Sequence, residues 1–173
     1  MLNDDEVRRW RLSHRFDRSA LPLADRHYNR QKPGTPQFVP PGRCLVLLAG
    51  SPASALWVTS WQFAEYVKHE WAGAWVCSCF RNEGAGLSSV LIRDAVSATV
   101  WRWPDIPALG MITFVNERKV RAKRDPGYCF IKAGFTRCGT TKVNGLLAFQ
   151  LKPEDMPAPS APAGAQLGLF NAQ

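Results

Sequence analysis

An apolar, β-forming run at 74–80 passes into Arg81-Asn82-Glu83-Gly84-Ala85-Gly86, and a helical pattern follows from Leu87 to about Trp101. Glycines at such a strand-to-helix bend let backbone N–H groups converge, and the helix beyond adds partial positive charge at its first turn. The bend can therefore cradle a pyrophosphate through the main chain alone. A plain structural turn is the competing reading of Gly84-x-Gly86 taken by itself. The helical segment carries Leu87, Leu91, Ala95 and Ala98 at spacings of three and four, which makes one apolar stripe.

The other elements are arranged around this unit. Trp10, Leu12, His14 and Phe16 alternate with Arg9, Arg11, Ser13 and Arg15, the period of a first strand with one basic face. A helix starting from a cap at Asn3 competes with it. Residues 19–29 read as a short helix interrupted by Pro22, and 31–42, rich in Pro and Gly, as a loop. The apolar runs 44–49 and 55–60 form a hairpin about Gly50-Ser51-Pro52. Trp61 to Trp71 is a short helix or an ordered insertion. A strand is expected at 110–115 and a short helix at 125–133 closed by Gly134. Strands at 136–141 and 146–151 flank Asn144-Gly145, a short hairpin signal. There are no internal repeats. From Pro157 the Pro/Ala composition predicts a flexible tether, so the domain is expected over 1–156 and the tail over 157–173.

Composition restricts the setting and the partners. The chain has 173 residues, enough for one domain and something extra, and is 46% hydrophobic with seven Trp, which supplies a core. Acidic and polar first residues and the absence of a long apolar run predict a cytoplasmic protein with reduced thiols and no membrane contact. A net charge of +8 favours a polyanionic partner, nucleic acid above all. Cys77 and Cys79 are expected on one strand face as structural thiols, with no metal site, and spacing suggests no Ser-His-Asp arrangement. His27-Tyr28 ends the first helix and either faces an acceptor site or simply packs.

Residues 81–91 resemble the acyl-CoA loop of the GNAT acetyltransferases, Q/R-x-x-G-x-G/A. The order that follows resembles the same family: a helix, a strand, then Phe130-Ile131-Lys132-Ala133-Gly134-Phe135 as an aromatic-x-x-x-Gly-Phe signature. The resemblance covers roughly 43–151. It implies an α+β fold with a mixed, mostly antiparallel sheet of six to seven strands flanked by helices. It also implies acetyl-CoA or another acyl-CoA lying between the fourth and fifth strands. On that basis Arg81, Asn82, Glu83, Gly84, Ala85, Gly86 and Leu87 hold the pyrophosphate, and Cys77 and Cys79 border the pantetheine. Asn116 and Phe130 are the other cofactor-side positions. The family's tyrosine acid falls at Phe130, so the acid is open between Tyr128, Ser78 and Cys79. The insertion at 61–71, with Glu65, Tyr66, His69 and Glu70, either shapes the acceptor site and supplies a base or is a solvated helix burying Trp61, Phe63 and Trp71.

Arg118, Lys119, Arg121, Lys123 and Arg124 put five basic residues into seven positions after the fifth strand, a candidate DNA contact. An exposed charged loop, or the phosphate of CoA, is the alternative. Gln166-Leu167-Gly168-Leu169-Phe170 resembles the Gln-Leu-x-Leu-Phe peptide with which bacterial DNA-processing enzymes grip the sliding clamp. In class the whole resembles the Mom-like bacteriophage proteins, GNAT-like enzymes that modify an amino group of a DNA base, which implies duplex DNA with the acceptor base flipped out of the stack. A GNAT acting on a protein or small amine, and a non-catalytic DNA- or clamp-binding module on the same scaffold, are the alternatives.

Overall fold

The computed structural model describes residues 9–120 and 125–165. Within them seven strands form one sheet: β1 (Arg11–Leu12), β2 (Arg43–Ala49), β3 (Ala55–Trp61), β4 (Trp75–Asn82), β5 (Met111–Val115), β6 (Thr136–Thr140) and β7 (Leu147–Leu151). The helices are α1 (Leu21–Asp25), α2 (Ser88–Arg102) and α3 (Tyr128–Lys132). The sheet order is β1-β2-β3-β4-β5-β7-β6. Neighbours are antiparallel except β4 and β5, which run parallel because α2 carries the chain across between them. The mixed, mostly antiparallel sheet expected from the sequence is the one found.

One face of the sheet lies under α2, which buries Leu91, Ile92, Ala95, Val96, Ala98, Thr99 and Val100. Leu45, Leu47, Trp57, Trp75 and Met111 meet it from the strands. Leu87, expected in the stripe, precedes the helix with extended backbone and is 67% exposed. A buried polar relay locks helix to sheet. Trp57 Nε1 donates to Thr59 Oγ1 at 2.7 Å, Thr59 shares a hydrogen with Thr99 Oγ1 at 2.9 Å, and Thr99 Oγ1 donates to Ala95 O at 2.8 Å. Each group satisfied in this way avoids the penalty of an unpaired buried dipole. The other face is covered near β2 and β3 by α1 and Val39, packed on Val46, Leu48, Leu56, Val58 and Cys79. Because both faces are covered, β2 and β3 read as continuous apolar runs and not as alternation.

Several expectations need correction. The first strand pairs only at Arg11–Leu12: Ser13 Oγ and the Ser19 N–H donate to the Asp17 carboxylate, the chain turns there, and Phe16 is left 71% exposed. Pro22 does not interrupt α1 but sits in its first turn, where a missing N–H removes no bond. The segment 61–71 holds only a short 3-10 turn at Ala64–Tyr66; Trp61 and Trp71 are half-buried, but Phe63 is 62% exposed. The hairpin expected about Asn144-Gly145 does form, β6 pairing antiparallel with β7, but its loop spans 141–146 and is closed by the Leu146 N–H on Thr141 Oγ1 at 2.9 Å.

The segment read as a tether from Pro157 lies against the domain as far as Ala165. The Ser160 N–H donates to Ser97 O of α2, and Ala163 exchanges bonds with Trp10 O and the Leu12 N–H at 2.9 Å, pairing parallel to β1. Pro162 is buried. The helix proposed from Asn3 lies outside the described residues. Among the described residues no helix is long and apolar enough to cross a membrane, and no three metal-ligating side chains cluster.

Candidate active site

β4 and β5 pair only at Trp75↔Met111, Val76↔Ile112 and Cys77↔Thr113. Past that point β4 follows β3 to Asn82 and β5 follows β7 to Val115, so the two strands part. A bulge accounts for the change. Val58 faces Cys79 and Thr59 faces Cys77, which leaves Ser78 without a partner opposite. An extra residue of this kind bends its strand and increases the local twist. It also reverses the alternation. Cys77 packs in the α2-side core and Cys79 in the α1-side cluster, so the two thiols do not share a face as the sequence suggested.

The gap is a cleft of about 320 Å³. Its walls are residues 77–82 of β4, Thr113 to Val115 of β5, His27 to Asn29 after α1, and Val120, Gly127, Cys129 and Phe130 before and within α3. Ser88, the first residue of α2, closes one end.

Asn82 organises the bend leading to that end. Its Oδ1 accepts the N–H groups of Gly84 (3.1 Å) and Ala85 (2.9 Å), and its Nδ2 donates to Gly86 O (2.7 Å) and Ser88 Oγ (3.0 Å). Gly84 takes φ +114°, a conformation a side chain would strain. No side chain caps α2, and among the described residues the N–H groups of Gly86, Leu87 and Ser88 meet no acceptor. Uncapped amides at the start of a fifteen-residue helix are an anion site in form. Arg9 Nη1 adds positive charge, coming within 3.1 Å of where a Cβ on Gly86 would stand. Glu83 does not oppose it. Arg26 pairs with Glu83 at 2.7 Å and Arg81 pairs with it too, and these contacts, the Arg26 hydrogen bond first, pull its carboxyl down to about 2.

Tyr28 reaches into the opposite part of the cleft. Its hydroxyl donates to Phe114 O at 3.5 Å, and its ring stacks on His27 at 4.5 Å. Burial pushes the phenol up to about 12, with the Cys77, Cys79 and Cys129 thiols adding to the rise, so the hydroxyl lies among the cleft's sulfurs. Burial, then Arg81, takes His27 down to about 4. Burial likewise raises Cys79 to about 12 and Cys77 well above its usual range. Around neutral pH these groups are uncharged, and the phenol is a protonated donor in a poorly solvated space.

Of the residues singled out from the sequence, Cys77, Ser78, Cys79, Arg81, Asn82 and Phe130 line the cleft, and Glu83 to Leu87 form the bend at its end. Ser78 Oγ shares a hydrogen with Ser60 Oγ at 2.9 Å. Asn116 sits just past β5 and turns the chain, its Oδ1 accepting the Arg118 N–H at 3.2 Å, outside the cleft wall. Two catalytic candidates are not brought in. Tyr128 is 52% exposed, with Lys132 Nζ 5.4 Å from its ring centre, because the helical turn aims Cys129 and Phe130 inward instead. Glu65 is exposed on the insertion, away from the cleft wall. Phe130 stands edge-on to Phe80 (6.1 Å) and Phe135 (5.4 Å) and carries no proton donor. Arg118 and Lys119 are exposed. Arg121, Lys123 and Arg124, and the tail residues Gln166, Leu167, Leu169 and Phe170, lie outside the described residues. Sequence reasoning gave Tyr28 no definite role, placed Arg9 only on a basic strand face, and did not find Thr113. Nothing local marks them; only the tertiary fold brings them to the gap.

No protein-family model and no curated protein matches the sequence. Among solved structures the chain is similar to the aminoglycoside acetyltransferase AAC(6')-Ib in complex with coenzyme A and kanamycin. The TM-score is 0.59 at 17% identity, covering 84% of this chain and 95% of that one. The fold is the GNAT fold.

Proposed function

We propose that the chain is an acyl-CoA-dependent N-acyltransferase whose acceptor is an amino group of a DNA base, in the manner of the Mom-like phage enzymes. One observation carries the reading: the parting of β4 from β5 opens a cleft with uncapped helix amides at one end and a half-buried phenol in its wall. Acyl-CoA supplies an activated acyl group as a thioester. The amides of Gly86, Leu87 and Ser88, with Arg9, hold its pyrophosphate. Residues 78–82, unpaired on the β5 side, offer backbone groups to the extended pantetheine arm. Tyr28 holds a proton at Oη for the sulfur that leaves as the acceptor nitrogen bonds to the carbonyl carbon and the C–S bond breaks. The proton that the acceptor nitrogen loses passes through solvent to the Tyr28 oxygen, so thioester and amine give amide and thiol and the step balances.

The DNA acceptor is supported by charge. Arg118 and Lys119 stand exposed after β5, Lys119 Nζ reaches Tyr28 O at 3.5 Å beside the cleft, and the chain carries +8 overall. Residues 166–170 are proposed to bind the sliding clamp, which would keep the enzyme on newly copied DNA in a bacterial cytoplasm. The deciding experiment incubates the protein with acetyl-CoA and DNA, digests the DNA to nucleosides and weighs them. One nucleoside should gain an acetyl group. Thiol release with kanamycin or a polyamine but none with DNA would overturn the acceptor assignment. Deleting 166–170 should abolish clamp binding and leave that activity intact.

A further inference from the structure

A second cavity, of about 430 Å³, adjoins the cleft and shares Phe114 with it. It opens between the segment before β4 and the 141–146 loop, and its size is that of a small-molecule site. Its wall is aromatic: the His69 and Trp71 rings lie 5.0 and 5.8 Å from Phe114 and 6.1 Å from each other. The Trp71 N–H donates to His69 Nδ1 at 3.1 Å. In the neutral imidazole the ring hydrogen then sits on Nε2, which is left as a donor. Burial lowers the His69 pKa, so the neutral form prevails at ordinary pH.

Charge at the rim selects the kind of occupant. Lys68 and Lys142 face a single acid, Glu70, which pairs with Lys142 at 3.3 Å. Lys68 has no carboxylate partner among the described residues. A polycation such as kanamycin needs carboxylates around its ammonium groups, and this rim presents the opposite balance. A planar ring carried on a phosphate chain satisfies both features: stacking on the aromatic wall and attraction to the lysines. An amine on such a ring, seated against Phe114, stands at the mouth of the β4/β5 gap.

We infer that this cavity is the acceptor pocket and takes a nucleobase extruded from a DNA duplex, stacked on Trp71 and Phe114 with its edge read by His69 Nε2. The inference rests on the acyl-transfer reading of the adjoining cleft and names the substrate for it. Extrusion is required because a base held in the stack cannot bring its amine between two packed walls.

The test compares two labelled duplexes, identical except that one holds its central adenine in a mismatch, titrated with the full chain at fixed salt. CoA affinity is measured separately by calorimetry. Since the mismatched base is already unpaired, wild-type protein should bind that duplex about tenfold more tightly. Trp71→Leu should erase the preference, keeping CoA affinity and matched-duplex affinity. Lys68→Glu, at an exposed position, should weaken both duplexes and keep the preference. Equal binding of the two duplexes by wild-type protein that still binds CoA overturns the pocket and leaves the acyl-CoA reading standing. Failure of wild-type protein to bind CoA removes both. The wild-type comparison needs no variant, so instability of Trp71→Leu would not blunt it.

Discussion

Tyr28→Phe removes one oxygen atom and should separate chemistry from everything else the residue does. The hydroxyl makes a long bond, 3.5 Å, to Phe114 O, at the limit of useful hydrogen-bond geometry. Its loss should cost less than about 1 kcal/mol of stability, because the stack on His27 is untouched. CoA affinity should stay within about twofold, since the α2 amides proposed to hold the phosphate end lie away from this hydroxyl. Turnover should fall about a hundredfold or more, the usual contribution of a positioned general acid. Neither of the other two candidate acids in the cleft wall is placed to substitute. Ser78 Oγ is shared with Ser60, and Cys79 is packed in the α1-side cluster. Thiol release from acetyl-CoA with DNA as acceptor would be followed from pH 7 to 10, with KM for acetyl-CoA taken from the same runs. Because burial holds the phenol near 12, wild-type activity should show no alkaline loss from this group within that range. Turnover within twofold of wild type refutes the assignment. So does a fall that appears wholly as a higher KM, which would make Tyr28 part of the wall and not the acid.

Three further perturbations probe the rest of the site. Asn82→Ala deletes four hydrogen bonds that shape the phosphate bend and should weaken CoA binding about tenfold or more by calorimetry; unchanged affinity would exclude the bend as the phosphate site. His27 has a folded-state pKa of about 4, below its unfolded value near 6.5. Above pH 6.5 both states hold it neutral. Below that the unfolded chain takes a proton that the folded one refuses, so stability is lost as pH falls toward 4. His27→Gln should therefore flatten the Tm profile between pH 6.5 and 4, and a profile parallel to wild type would contradict the burial. Reversing charge at Arg118 and Lys119 together should weaken DNA binding and lower the log–log salt slope by about two; an unaltered slope would take these side chains off the DNA.

What could be read in the sequence was whatever depends on neighbours along the chain. The β2–β3 hairpin, the glycine bend and α2 announce themselves through periodicity and turn chemistry, and their order carries the fold. The bulge does not. Cys77-Ser78-Cys79 reads as plain alternation, and the extra residue exists only in relation to Val58 and Thr59 on the adjoining strand. The tail misled for a related reason. Pro and Ala in series have the composition of a tether, yet these residues surrender almost no side-chain entropy when fixed. A flat strip of them can therefore lie along α2 and pair with β1 for the return of a few backbone bonds.

The proposed proton donor shows most clearly why a resemblance can locate a cleft and miss its chemistry. The motif directs attention to residue 130, and the chain has phenylalanine there. Its ring packs on Phe80 and Phe135 at 7% exposure and carries no hydroxyl. A gap between parted strands is open to both faces of the sheet, so an acid can enter it from either. Tyr28 comes from the α1 face, the opposite one, on a segment whose sequence has no counterpart in the motif. The fold specifies where a thioester can lie, and which face supplies its proton is decided by single side chains. Phe130→Tyr placed in the Tyr28→Phe background should accordingly restore no turnover; recovery of even a tenth of wild-type rate would show that the α3 side can still deliver the proton.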